Sequence, residues 1–169
     1  MTDQKTEPWL RMTRTEIDAL RRGVLHALEL AAEDVARWSD QLNGTEMEAH
    51  PLGLPSVGFQ LRHIARSLDR LMTYVDGMQL TARQLKLLRS EEEFTDREAT
   101  LMEFAEAIEV AVKRVLAISP NSYEKPREVG RKKLQTTVGG LLVHVADHTQ
   151  RHVGQAITTA KIIRATHRA

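Results

Sequence analysis

The sequence predicts an all-α protein, a four-helix bundle with an additional short helix between the second and third long helices. Three observations predict it. Glycine and proline are sparse, at 9 and 5 of 169 residues, and long stretches read as Leu, Ala, Glu, Arg and Lys, residues with high helix propensity. Apolar positions recur at steps of three and four in four long segments, the period that lines one face of a helix. Clusters of turn-forming residues separate those segments. Four amphipathic helices bury their stripes most economically against one another.

In chain order, residues 1–12 read as a flexible N-terminal arm pinned by Trp9, and residues 13–169 as a single helical domain. Thr13 and Glu16 have the spacing of a capping box. Ile17, Leu20, Val24, Leu28, Ala31, Val35 and Trp38 then define a first helix to about Asp40. Its His26 reads as a surface or interface residue without a task. Residues 42–55, with Asn43, Gly44, Pro51, Gly53 and Pro55, hold too many breakers for a helix. Ser56 caps a second helix that runs to Asp76 and stops at Gly77. Its core stripe is Val57, Leu61, Ile64, Leu68, Met72 and Val75, and a second stripe carries Phe59, His63, Ser67, Arg70 and Tyr74. Thr81 caps a short helix within 81–93, and Glu91, Glu92 and Glu93 read as its solvated end. Thr95 and Glu98 repeat the capping-box spacing before a third long helix, which ends before Pro120. A connection over 119–136 leads to Thr136 or Thr137, either of which caps a fourth long helix to about Arg164.

Composition narrows the function classes. The formal net charge is +1, so the whole molecule has no strong pull toward nucleic acid or membrane. The chain has no cysteine, which excludes a protein thiol nucleophile, a thiolate ligand and a disulfide, and fits a reducing cytosol. No signal-peptide run opens the sequence and no stretch is apolar enough to span a bilayer. A soluble cytoplasmic protein without membrane contact is expected. The one basic cluster, Lys125, Arg127, Arg131, Lys132 and Lys133, is diluted by Glu124 and Glu128. It lacks stacking aromatics and a phosphate cradle, a poor basis for nucleic-acid binding.

The chemistry concentrates in the fourth long helix, where His144, His148 and His152 stand at steps of four. That spacing places three imidazoles on one helical face. His144 and His152 start roughly 12 Å apart along the axis, whereas two nitrogens on one zinc-like ion, each about 2.1 Å away, stand at most about 4.2 Å apart. One neighbouring pair can share an ion; all three cannot. On a helical wheel His152 falls inside the buried stripe, His148 at its edge and His144 furthest out, which favours His148 with His152. A third ligand must come from another segment. No carboxylate is placed beside the pair by pattern, since Asp147 points away.

Two segments together, Gly58-Phe-Gln-Leu-Arg-His63-Ile-Ala on the second helix and His144-x-x-x-His148-x-x-x-His152-x-Gly154-Gln155 far downstream, resemble the DinB-like superfamily of metal-binding four-helix bundles. The likeness covers nearly the whole chain. It implies one divalent transition metal, zinc or nickel foremost, held by His63, His148 and His152. The choice of His63 rests on the resemblance, while the wheel favours the other two independently. Gln155, Arg70 and Tyr74 are candidates for contact with a ligand or a small-molecule substrate, and Arg62 and Arg66 for positive charge near the mouth.

Three neutral imidazoles leave a divalent ion its full charge and an open position. The resemblance implies a metal-dependent enzyme: a transferase or isomerase using a low-molecular-weight thiol cosubstrate, or a hydrolase acting through metal-bound water. The alternative is a non-catalytic homodimer with a structural or vestigial metal, joined through the Phe59 and Tyr74 flank or through the first and third long helices.

Overall fold

The computed structural model describes residues 6–166. It is mostly helical: α1 (Ala19–Ser39), α2 (Gly44–Met47), α3 (Val57–Val75), α4 (Ala82–Arg89), α5 (Arg97–Ala117) and α6 (Val138–Thr166), with a hairpin of β1 (Pro126–Val129) and β2 (Leu134–Thr137) before the last helix. The long helices α1, α3, α5 and α6 form the expected bundle. Helix α6 packs along both α1 and α3, while α5 packs along α3 and less extensively along α1. The core joins Leu25, Leu28 and Ala31 of α1 to Leu61, Ile64 and Leu68 of α3, Phe104 and Val115 of α5, and Leu142, Val145 and Ala160 of α6. No described helix is long and apolar enough to cross a membrane.

Local chemistry moves several boundaries. Helix α1 starts at Ala19, not at the Thr13 capping box, because the Asp18 side chain accepts a hydrogen bond from the Arg21 backbone at 3.2 Å. Met12 and Arg14, with φ of 54° and 56°, have already turned the chain away from helical geometry. Asp18 also accepts from the Tyr123 hydroxyl at 2.6 Å. Burial pushes its carboxyl up, yet the bonds from Tyr123 and Arg21 outweigh this and hold it at about 2. Ahead of α1, the segment is secured by buried Pro8 and by Arg11, whose guanidinium bridges Glu29 at 2.8 Å and Glu33 at 2.6 Å. Trp9 is 61% exposed and pins nothing; residues 1–5 of the expected arm lie outside the described residues. His26 is buried at 8% exposure with Nε2 3.2 Å from Thr13 Oγ1, so it is not a surface histidine.

The stretch expected to be irregular contains one helical turn, α2, stabilised by a capping box between Asn43 and Glu46. Thr95 does not cap α5; Asp96 does, accepting from Ala99 N at 3.2 Å. Ser56 and Thr81 cap α3 and α4 as their sequence positions imply. The connection before α6 folds into the hairpin, whose four-residue strands contain no buried residue. Its basic residues do not form a free patch: Arg127 donates to the Val75 carbonyl at 2.6 Å, and Lys133 pairs with Glu128 at 3.4 Å.

One polar knot lies inside the bundle. Arg62 of α3 has no exposed surface. Its Nη1 and Nη2 donate to Glu48 Oε1 and Oε2 at 2.6 and 3.0 Å, and its Nε donates to the Glu91 carbonyl at 2.9 Å. Gly58 makes room for this pair. A Cβ there would collide with Glu48 Oε1 and stand 2.9 Å from Arg62 Nη1. The Glu48 carboxylate is the flexible end of its side chain, but moving it strips a buried guanidinium of its counter-charge. Gly58→Ala is therefore expected to cost about 3 kcal/mol, read as a lower urea midpoint, with helical circular dichroism retained in the absence of denaturant.

Candidate metal centre

Helix α3 supplies His63 and helix α6 supplies His148 and His152. The long α3–α6 contact brings one ring nitrogen of each within 4.8 Å of the others. His63 Nε2 stands 3.2 Å from His148 Nε2. Ring centroids are 4.3 Å apart for His63 and His152 and 4.5 Å for His148 and His152. Nitrogens bound about 2.1 Å from one ion lie about 3.0 to 3.4 Å apart for angles from square to tetrahedral, so the cluster fits a single ion with small adjustments. A proton or a metal ion between His63 and His148 is what lets two such nitrogens approach this closely.

The outward-facing nitrogens explain why the others point inward. His63 Nδ1 donates to Glu91 Oε2 at 2.7 Å, and His152 Nδ1 donates to Gln60 Oε1 at 2.7 Å. A carboxylate and an amide oxygen can only accept, so each Nδ1 carries a proton. Each imidazole is thereby turned to offer Nε2, an orientation typical of metal-ligating histidines. Both acceptors are sequestered, Gln60 at 2% and Glu91 at 6% exposure. Phe59 stacks on His63 with centroids 5.7 Å apart and planes 20° from parallel.

Glu91 corrects one expectation: it is not part of a solvated helix end or turn but a buried carboxylate bonded to the outer nitrogen of His63. Its backbone is held by Arg62, and its side chain accepts from Arg70 Nη1 at 2.7 Å as well as from His63. Burial pushes this carboxyl up, but the bonds from His63 and Arg70 prevail and leave it below its ordinary value. Sequence reasoning missed both Glu91 and Gln60. Gln60, one helical turn before His63, carried a signal in being a polar residue beside the core stripe of α3. Glu91 lies on a loop after a separate helix and carried none.

The other candidates divide. Arg70 lines the cleft beside His63, with its Nη2 donating to Ser67 Oγ at 2.8 Å. Tyr74 is buried at 7% exposure and lines the same cleft, so it offers no flank for docking. Gln155 borders a second cleft with Gln60 and Arg151, close enough to His152 to oppose the lowering of its pKa. Arg62 and Arg66 do not face the mouth: Arg62 is spent on Glu48, and Arg66 donates to Glu103 at 2.7 Å. His144 is outermost, its side chain 46% exposed and 3.7 Å from Asp147.

Electrostatics keep the α6 pair neutral. Burial, followed by the neighbouring His152 and His63, lowers His148 to about 4. Burial, followed by His63 and Arg151, lowers His152 to about 4. Neutral imidazole is the metal-binding form. Ordinary histidines titrate near 6.5, so between about 6.5 and 4 the unfolded chain takes up protons here that the folded, metal-free protein refuses. These residues therefore leave stability unpenalised above pH about 6.5 and reduce it as pH falls through that window. Urea midpoints of the metal-free protein are expected to drop from pH 6.5 to 4, with a shallower drop in His148→Gln.

No curated protein matches the sequence. A family model described as the DinB superfamily matches residues 16–156. That span begins just before α1, includes all three clustered histidines and takes in most of α6. The chain belongs to the DinB superfamily.

Proposed function

We propose that the protein is a divalent-metal-dependent enzyme whose ion is held by His63, His148 and His152 and whose substrate is a small molecule. The observation that carries this reading is the inward convergence of three Nε2 positions whose outer nitrogens are engaged or free to face away, beside an open cleft. Zinc or nickel suits an all-imidazole donor set. Such an ion supplies Lewis acidity, which favours the deprotonated forms of water and thiols.

The chain's own residues set what surrounds that chemistry. Glu91 and Gln60 orient two of the ligands, Arg70, itself held by Ser67, restrains Glu91, and Gln155 stands where it can orient a group near His152. With no cysteine in the chain, a thiol nucleophile would arrive with a low-molecular-weight cosubstrate. A transferase or isomerase of that type and a hydrolase are the two reaction classes the site accommodates. The homodimer belongs to this proposal too; a groove between α1 and α5, whose rim carries the partly exposed Ala32, Ala36, Leu101 and Ala105 beside Asp40 and Arg97, is a surface for it.

Protein purified without a histidine tag is expected to contain about one transition metal per chain by elemental analysis. His152→Ala is expected to lose the metal while retaining its helicity. A wild-type protein free of metal after zinc or nickel loading would reject the proposal. Glu91→Ala keeps all three ligands but frees His63 to rotate and change tautomer. Its zinc affinity is expected to fall roughly 10- to 100-fold in competition with a chromophoric chelator.

A further inference from the structure

We infer that the cleft between α3 and α4 receives an uncharged, apolar part of the substrate, an acyl chain or an aromatic ring, and sets it beside His63 and His148. The inference rests on the function proposed above and adds the chemical class of the group that site would take.

The cleft has a volume of about 250 Å³, a floor of His63 and His148 with the half-exposed His144 at its edge, and walls that include Leu71, Tyr74, Leu80 and Leu88. Leu88 remains 40% exposed there, and Leu71 and Leu80 are only partly buried. Apolar surface left open beside a polar cluster gains from a ligand that covers it. The wall is built rather than incidental. Gln84 of α4 donates to Asp69 Oδ2 at 2.8 Å and to Thr73 Oγ1 at 2.7 Å. Arg66 of α3 donates to the Leu87 carbonyl at 3.0 Å and to Ser90 Oγ at 3.2 Å. These bonds lock α4 onto α3 and hold Leu88 over the cleft.

Charge decides the class of ligand. Arg70 is the cation in this lining, and its guanidinium is already engaged by Glu91 at 2.7 Å and Ser67 at 2.8 Å. Beyond the reach of the ion, a carboxylate at the leucine end of the cleft would lose hydration, find that cation neutralised, and face the Glu91 charge behind it. The polar part of a substrate has a better place on the other side of the cluster. There a cleft of about 300 Å³ is bordered by Gln60, Arg151, Gln155 and Thr158, and the half-exposed Arg151 pairs with Asp147 at 2.7 Å.

The test uses three hydroxamic acids, metal-chelating probes that differ only in their tails, titrated into the zinc-loaded full-length protein by calorimetry. Hexanohydroxamic acid is expected to bind at least tenfold tighter than acetohydroxamic acid, whereas the monohydroxamic acid of succinate, with its carboxylate-ended tail, gains nothing. In the Leu80→Asn, Leu88→Asn double variant, which replaces no fully buried residue, the hexanoyl advantage is expected to shrink below threefold with acetohydroxamate affinity, zinc content and helicity unchanged. Equal affinities for the hexanoyl and acetyl probes, tighter binding of the carboxylate-tailed probe, or an advantage that survives the double variant would overturn the inference. In those cases the metal site itself would still stand, shown by acetohydroxamate binding to wild type and not to His152→Ala. Failure of the wild type to hold zinc would instead overturn the proposed function, and this inference with it.

Discussion

An arginine with no exposed surface constrains much of this structure. Removing a guanidinium from water is tolerable only if its charge is matched and its donors are used. Arg62 meets that requirement with the Glu48 carboxylate, the Glu91 carbonyl and, at 3.4 Å, the Thr100 hydroxyl. Those partners come from the segment after α2, the loop after α4 and the first turn of α5. A single side chain on α3 thus gathers three separate parts of the chain around the residue that precedes His63. Gly58 belongs to the same constraint, because a larger residue would occupy the space of the Glu48 carboxylate.

The consequence for chemistry runs through Glu91. Loops do not ordinarily place a functional carboxylate with the accuracy of a helix. Here the loop is fixed at its backbone by Arg62 and at its carboxylate by Arg70 and His63. The two α6 histidines need less support. Their four-residue spacing on one continuous helix sets their separation, and Gln60 of α3 fixes the outer nitrogen of His152. The cluster therefore combines two positions supplied by helical geometry with a third secured by a buried ionic network.

These differences explain what could be read from the sequence. The bundle was legible because apolar periodicity reports burial directly, and Ser56 and Thr81 were legible because capping is local. The pair His148 and His152 was legible from angle alone. His63 needed the family likeness, since nothing in the α3 pattern says which other helix it faces. Thr13 and Thr95 misled because their spacing was right while Asp18 and Asp96, nearer the helix starts, accept the backbone hydrogen bonds. The roles of Arg62 and Glu91 were hidden for a different reason. Both look like solvated charges in a linear reading, and only long-range pairing, across 29 residues in the case of the Arg62–Glu91 bond, takes them out of water.

Charge distribution then separates this site from a closed structural one. Three imidazoles bring no formal negative charge to an ion, and the nearest carboxylate reaches it only through His63. That carboxylate is shared with Arg70, so its influence on the ion is weakened further. A cation held here would keep most of its charge, and that charge would act toward the two clefts rather than be quenched inside the protein. Arg70 has a second effect of opposite sense. By matching Glu91 it also surrenders its own attraction for anions, so that an ion bound as proposed would be the main unbalanced charge beside the α3–α4 cleft. On the proposed function, strength at one point and neutrality around it would favour a substrate that presents a single polar atom to the histidine cluster and apolar surface to the leucines behind it.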